Sequence, residues 1–212
     1  MAASPREAEE RVRSLIDPVA AGYLRKHSRE EGLTLDVGCG PGQYRHVVAG
    51  DYIGVDLSRD EFNSTLYPGM LTSPDVLAEA QSLPFRPGSF TTAFYSGICY
   101  YLNSQQLYGA LTEAYRVLRT SGNVVIMDHS KKTDERLQRE YEQVWTKTAN
   151  PRSCVQWLRL LATVGFKKLD LSFKPYERKK LRLSLLKRLL PRAVYFTWID
   201  HRQAYVMITG QK

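Results

Sequence analysis

Cysteine is scarce in this chain. Three in 212 residues, Cys39, Cys99 and Cys154, stand far apart with no Cys-x-x-Cys pair. An odd, scattered set excludes a disulfide framework and a thiolate metal cage, and points to a reducing, cytoplasmic setting. The four histidines show no metal-ligand spacing, so no metal site is expected. No run approaches the ~20 apolar residues of a membrane-spanning helix, and Met1–Arg11 is too polar and acidic for a secretory signal. Acids are also in deficit, 22 against 30 Lys plus Arg, leaving a formal charge of +8. That balance bears on association rather than fold. With 43% hydrophobic residues the chain has the composition of one globular domain with ample core.

What is present is concentrated between residues 33 and 58. Leu33-Thr34-Leu35-Asp36-Val37 is an apolar strand that runs into Gly38-Cys39-Gly40-Pro41-Gly42. A short helix later, Tyr52-Ile53-Gly54-Val55-Asp56-Leu57-Ser58 repeats the theme, an apolar strand ending in an acid. Glycines at alternate positions let the backbone turn tightly and approach a ligand. An acid at the tip of the next parallel strand suits the two hydroxyls of a ribose. A dinucleotide loop would read Gly-x-Gly-x-x-Gly and seat a pyrophosphate on a helix N-terminus. Here the spacing differs, Pro41 removes a backbone donor, and Asp36 would repel a phosphate while favouring a cation. The ligand that fits is S-adenosylmethionine, with its ammonium and sulfonium groups.

The block resembles motif I of the class I S-adenosylmethionine-dependent methyltransferases, in their ubiquinone/menaquinone-methyltransferase-like branch (methyltransferase type 11). The resemblance continues through Gln81-Ser82-Leu83-Pro84-Phe85, then Glu113-Ala114-Tyr115-Arg116-Val117-Leu118-Arg119, Gly122 and Trp157-Leu158-Arg159-Leu160-Leu161 with Gly165-Phe166. It covers about residues 30 to 172. It implies a Rossmann-like α/β fold, a seven-stranded mostly parallel sheet with helices on both faces and an antiparallel last strand. It also implies S-adenosyl-L-homocysteine as product. Asp36, Gly38, Gly40 and Gly42 would flank the methionine part, with Cys39 packed in the motif. Asp56 would hold the ribose, Leu57 lie against the adenine face, and Glu79 with Ala80 meet its edge. Tyr95 and Ser96 would approach the methionine amine. The sequence departs from the family at Thr91, where Asp is usual, at Thr120-Ser121-Gly122 in place of Pro-Gly-Gly, and at Tyr100-Tyr101 in place of two histidines.

Read along its length, the chain is a single domain, 1–212, with an N-terminal helical cap at 1–29 that Pro18 breaks. Strands are expected at Leu33–Val37, Tyr52–Asp56, Val76–Ala78, Phe90–Ser96, Asn123–Asp128, Lys167–Phe173 and Gln203–Thr209. Helices are expected at Ser104–Arg119, about Thr133–Thr148 and Ser153–Val164. Between Lys174 and Arg192, Lys174, Arg178, Lys179, Lys180, Arg182, Lys187, Arg188 and Arg192 face Glu177 alone, with leucines interleaved. This pattern suits an amphipathic helix. Such an element can close a pocket, lie on an anionic membrane or dock RNA. The leucines need burial, so the 174–200 insertion is read as part of a substrate lid.

For the chemistry, a base near the cofactor would come from the carboxyl ends of strands four and five. His129 has a suitable intrinsic pKa, about 6.5. Tyr100 and Tyr101 suit pocket walls or hydrogen-bond donors, and Tyr23 is expected beside them. Three functions fit: methylation of a small-molecule acceptor, lipid-like ones included, at O, N or C; methylation of RNA or protein; or binding of the cofactor without methylation. The first is the leading reading.

Overall fold

The computed structural model describes residues 18–57, 74–129, 150, 152–175 and 204–212. The expected helix at Thr133–Thr148, most of the 174–200 insertion and most of the N-terminal cap lie outside these. Among the described residues seven strands form one sheet in the order β3-β2-β1-β4-β5-β7-β6. The strands are β1 (Leu33–Val37), β2 (Asp51–Asp56), β3 (Val76–Leu77), β4 (Phe90–Ser96), β5 (Leu118–His129), β6 (Lys167–Pro175) and β7 (Ala204–Gln211). β1 pairs in parallel with β2 and β4, β2 with β3, and β4 with β5, whereas β7 runs antiparallel between β5 and β6. The fold is therefore the Rossmann-like sheet with an antiparallel last strand.

Parallel strands need cover on both faces, and helices supply it. On one face α1 (Pro18–His27) lays Ala20, Ala21 and Leu24 on Phe94, Val125, Met127 and Met207. Pro18, the expected break, is the first residue of α1. On the other face stand α2 (Ser104–Val117) and α3 (Cys154–Val164). Leu107, Ala110, Leu111, Ala114 and Val117 make one buried stripe along α2, the i, i+3, i+4, i+7 pattern of an amphipathic helix. Each of these two helices begins with a capping box, Asn103 with Gln106 and Ser153 with Gln156, satisfying orphan N–H groups at its start. Gly165 ends α3 at φ 115°.

The expected short helix between β1 and β2 does not form. Residues 41–47 are successive turns, closed by hydrogen bonds from the amides of Gly42, Arg45 and Val47 to the carbonyls of Cys39, Gly42 and Tyr44. Only thirteen residues, 38–50, separate the strands, and Pro41 and Gly42 occupy the positions where a helix would start.

The departures from the family pattern have local explanations. Thr91 is buried and donates its hydroxyl to the Leu33 carbonyl at 3.0 Å. Ser121 adopts φ 62°, and its carbonyl accepts from Arg29 at 3.0 Å and from Gln211 at 3.3 Å. The stretch Leu83-Pro84-Phe85 is held to α2 by two residues. Glu113 accepts the Leu83 amide, and the Arg116 guanidinium donates to the carbonyls of Leu83 and Phe85. Arg116 in turn holds the Glu113 carboxyl below its usual range.

Candidate cofactor site

At the carboxyl end of β1 the chain turns through Gly38, Gly40 and Gly42, at φ 71°, 53° and 70°. These left-handed values carry a steric cost for any residue with a Cβ. A Cβ at Gly38 would also collide with the Ile98 side chain. The amides of Gly38 and Cys39 both donate to the Val55 carbonyl, at 2.8 and 3.1 Å, tying the turn to β2. The Gly40 amide donates to Asp56 Oδ2 at 2.9 Å, and the Leu57 amide to Asp56 Oδ1 at 2.7 Å. An ionised carboxylate offers about four lone-pair sites. Two backbone donors therefore fix the orientation of Asp56 and leave acceptor capacity for a diol.

Beside this turn lies a cleft of about 320 Å³ lined by Val37, Gly38, Asp56, Leu57, Ala78, Ala80, Gln81, Ile98 and Leu102. Its walls are mainly apolar with one carboxylate, the make-up expected around a nucleoside. Leu57 stands 67% exposed at its rim. Ala80 lines it as expected, beside Ala78 and Gln81, whereas Glu79 is exposed and is not part of the wall. Ile98 and Leu102, which the sequence did not single out, come from the segment after β4.

Asp36 lies on the other face of β1 from Val37. It is 1% exposed; Oδ2 accepts the Tyr52 hydroxyl at 2.7 Å, and Oδ1 has no hydrogen-bond partner. Burial pushes this carboxyl up to about 7 against the opposing effect of the Tyr52 hydrogen bond, and nearby Asp56 adds to the rise. Tyr52 is itself clamped. The Arg45 guanidinium sits 4.5 Å from its ring centroid and bonds Asp75 at 2.7 Å, and Asp75 also accepts the Gly54 amide at 2.7 Å. Tyr52 reaches Asp36 because Thr34 pairs with Tyr52 and Asp36 with Gly54 across β1 and β2. Period-two alternation puts Tyr52, Gly54 and Asp56 on one face. Cys39 packs against Gly54, where an added Cβ would lie 2.8 Å from its sulfur. Burial, then Asp36, Asp56 and Asp75, push its thiol far up, so it stays protonated and is no nucleophile.

Two expected contacts are corrected. Tyr95 is wholly buried on the α2 face and donates its hydroxyl to the Ala110 carbonyl at 3.0 Å, away from the cleft. Strand alternation sends its neighbour Ser96 the opposite way, where Ser96 Oγ lies 3.4 Å from the Tyr44 hydroxyl. Tyr23 does not join Tyr100 and Tyr101. It lies on α1 near Thr209, Ser172 and Asp170, with its ring tilted 52° to that of His27 and the centroids 4.6 Å apart.

Tyr100 and Tyr101 share a 3₁₀ turn, Cys99–Tyr101, with ring centroids 4.0 Å apart. Buried Arg152 fixes this turn, donating to the carbonyls of Cys99 at 3.0 Å, Leu102 at 2.6 Å and Asn150 at 2.7 Å. No sequence signal marks Arg152 for this task. His129 closes β5 at the carboxyl edge, paired with Tyr205 of β7. Among the described residues no group of His, Cys, Asp and Glu is arranged to hold a metal ion, and no helix is long and apolar enough to cross a membrane.

A glycine turn and an acid on adjacent strand tips, beside a cleft at the crossover between β1 and β4, define a nucleoside-cofactor site of the doubly wound α/β class. The unpartnered carboxylate oxygen of Asp36 and the spare acceptor capacity of Asp56 fit a ligand bearing an ammonium and a diol. The sequence profile of a methyltransferase domain (type 11) matches residues 35–126, which marks that stretch as an S-adenosylmethionine-dependent methyltransferase domain. No curated protein sequence matches.

Solved structures share the fold at low identity. An S-adenosylmethionine-dependent methyltransferase from Thermotoga maritima is 17% identical with a TM-score of 0.66, over 98% of this chain and 94% of its own. Geranyl diphosphate C-methyltransferase from Streptomyces coelicolor, in complex with geranyl diphosphate and S-adenosyl-L-homocysteine, is 18% identical with a TM-score of 0.60. That match covers 98% of this chain and 85% of the other. Phosphoethanolamine N-methyltransferase 2 from Haemonchus contortus, in complex with S-adenosyl-L-methionine, is 15% identical with a TM-score of 0.62. It aligns with 97% of this chain over 56% of its own length.

Proposed function

We propose that the protein transfers a methyl group from S-adenosylmethionine to an O, N or C nucleophile of a small-molecule acceptor in a cytoplasmic setting. One observation carries the reading: the Gly40 amide bound to the Asp56 carboxylate, which joins glycine turn and strand-tip acid into one rigid cradle beside an apolar cleft. The small-molecule class is supported by fold relatives that act on phosphoethanolamine and geranyl diphosphate.

The donor supplies a sulfonium methyl already activated for attack, so the protein's task is orientation. Asp56 would accept from the ribose hydroxyls. Leu57, Ala80 and Ile98 would sandwich the adenine. Gly38 lies between the cleft on one face and Asp36 on the other, so a ligand crossing there would bring its ammonium to Asp36. Orientation of this kind is worth ~7–11 kcal/mol of barrier when the alignment is good. Tyr100 and Tyr101, held by Arg152, would wall the acceptor side, and His129 at the edge of β5 would take a proton from an acceptor that carries one, a further ~10²–10⁴-fold.

Calorimetric titration with S-adenosylhomocysteine tests the cofactor half. Asp56→Ala is expected to weaken binding by roughly 1–3 kcal/mol, and equal affinity would remove Asp56 from the site. Methyl-labelled donor incubated with fractionated cell extract tests the acceptor half. Label is expected in the low-molecular-weight fraction; label in RNA or protein would overturn the acceptor class.

A further inference from the structure

The turn between β4 and α2 carries two sets of side chains. Ile98 and Leu102, at its two ends, line the cleft. Tyr100 and Tyr101, between them, form the ring pair. A 3₁₀ turn holds itself with few bonds. Here the Tyr101 amide donates to the Ile98 carbonyl at 3.0 Å and the Leu102 amide to the Cys99 carbonyl at 3.2 Å. Further anchors come from the segment that starts α3. The Asn150 amide donates to the Tyr100 carbonyl at 2.6 Å, and the Asn150 carbonyl accepts from Arg152. The same guanidinium reaches the Cys99 carbonyl with Nη1 and the Leu102 carbonyl with Nη2, so it grips the turn on both sides of the tyrosines. Arg152 is 7% exposed, and a guanidinium is seldom buried unless its charge and donors are met. Asp128, buried at the carboxyl end of β5, is close enough to act on that charge. Beyond Leu102 the Asn103 capping box begins α2 at once, which leaves the turn little freedom to shift one set of side chains without the other.

Taking the cleft as the donor's seat, as read above, we propose that Arg152 is a positioning residue that couples the two sides of this turn. It sets Ile98 and Leu102 against the nucleoside and, through the same backbone, sets the Tyr100–Tyr101 pair on the acceptor side. Arg152 is not part of the cleft wall, so it acts through the carbonyls it holds. Leu102 is itself a wall residue, and Cys99 directly precedes the tyrosines. A nucleoside pressing on Ile98 and Leu102 displaces the backbone that carries both rings, and the guanidinium makes that displacement common to the whole turn. Without it the cleft wall and the ring pair move independently.

Calorimetry and near-ultraviolet dichroism of the full chain, titrated with S-adenosylhomocysteine and with methylthioadenosine, test this. The two ligands share the nucleoside and differ in the amino-acid end. Both are expected to change the tyrosine dichroism on binding, and replacing Tyr100 and Tyr101 together by Phe should remove that change. Arg152→Met is expected to bind both ligands roughly tenfold more weakly, the worth of a hydrogen bond from a charged donor, and to show no tyrosine change at saturation. Arg152→Lys keeps the buried charge without the fork. It is expected to fold and to give an intermediate loss of affinity with a reduced tyrosine change. Leu161→Ala removes a wholly buried side chain of α3 away from the turn and costs stability of the same order, yet should keep the parent affinity and the parent tyrosine change. A merely structural Arg152 would lower stability and move neither readout. Parent affinity or an undiminished tyrosine change in either Arg152 variant, equal losses in Leu161→Ala, or no tyrosine change in the parent would overturn the proposal while leaving the cofactor reading intact. Failure of both ligands to bind the parent protein would overturn both.

Discussion

Gly38 and Gly97 show how one residue's conformation differs from its surroundings as a constraint. Both have a positive φ, 71° and 66°. An alanine at Gly97 meets nothing within 4 Å, so its cost is the left-handed backbone alone, roughly 1–2 kcal/mol. An alanine at Gly38 carries the same backbone cost and in addition drives its methyl into Ile98, a wall of the cleft. Urea unfolding is therefore expected to show Gly38→Ala as the more destabilised variant, and calorimetry to show it losing cofactor binding. Equal losses in the two variants would mean that Ile98 yields freely. The alternating glycines are visible in the sequence; the reason the first must remain glycine comes from a side chain sixty residues away.

At the scale of elements, Arg152 does for the Cys99–Tyr101 turn what capping boxes do for α2 and α3. The caps are local, contributing about 1 kcal/mol each, and Asn103-x-x-Gln106 and Ser153-x-x-Gln156 are readable as strings. Arg152 is not local. It crosses from the start of α3 to three carbonyls, two of them around fifty residues earlier, with its guanidinium 5.8 Å from the Trp157 ring centroid. Burial lowers the pKa of its guanidinium. Arg152→Met keeps much of the side-chain volume and strands the carbonyls. A loss of about 3 kcal/mol in urea unfolding is expected, together with a weakened near-ultraviolet dichroism signal from the Tyr100–Tyr101 pair. Full stability in that variant would show that solvent satisfies the turn unaided.

For the molecule as a whole, two carboxyls set the pH dependence in opposite senses. Asp36 has its pKa raised in the folded state, so between about 4 and 7 the native protein holds a proton that the unfolded chain has lost. Stability of the ligand-free protein therefore falls as pH rises through that window, by an amount on the order of 4 kcal/mol for a displacement from 3.8 to about 7. Glu113 has its pKa lowered, chiefly by the hydrogen bond from Arg116. Its contribution is present above the unfolded carboxyl range and is lost as pH falls through the folded value. Thermal melts without ligand should peak in the mildly acidic range and decline toward pH 8. Asp36→Asn should flatten the decline between about pH 4 and 7, and saturating S-adenosylhomocysteine should offset it. A melt profile for Asp36→Asn that parallels the parent from pH 5 to 8 would exclude Asp36 as the source.

The sequence by itself determined the strand order's raw material, the glycine turn, the acid at the tip of β2 and the α2 and α3 helices. Each of these is encoded within a few residues by periodicity, turn chemistry or a cap. It also carried the family pattern over about residues 30 to 172. Tertiary structure decided which face each side chain took. Tyr95 and Ser96 are neighbours, yet pleating sends one to the Ala110 carbonyl and the other to Tyr44. Pairing register, not proximity in the chain, brought Tyr52 to Asp36, and packing of the segment after β4 brought Ile98 and Leu102 over the cleft. Residues 41–47 form successive turns in place of the expected helix, with Gly40 and Gly42 both at positive φ. Local propensity chooses the elements, but a site built from strand tips is fixed only when the register between strands is fixed.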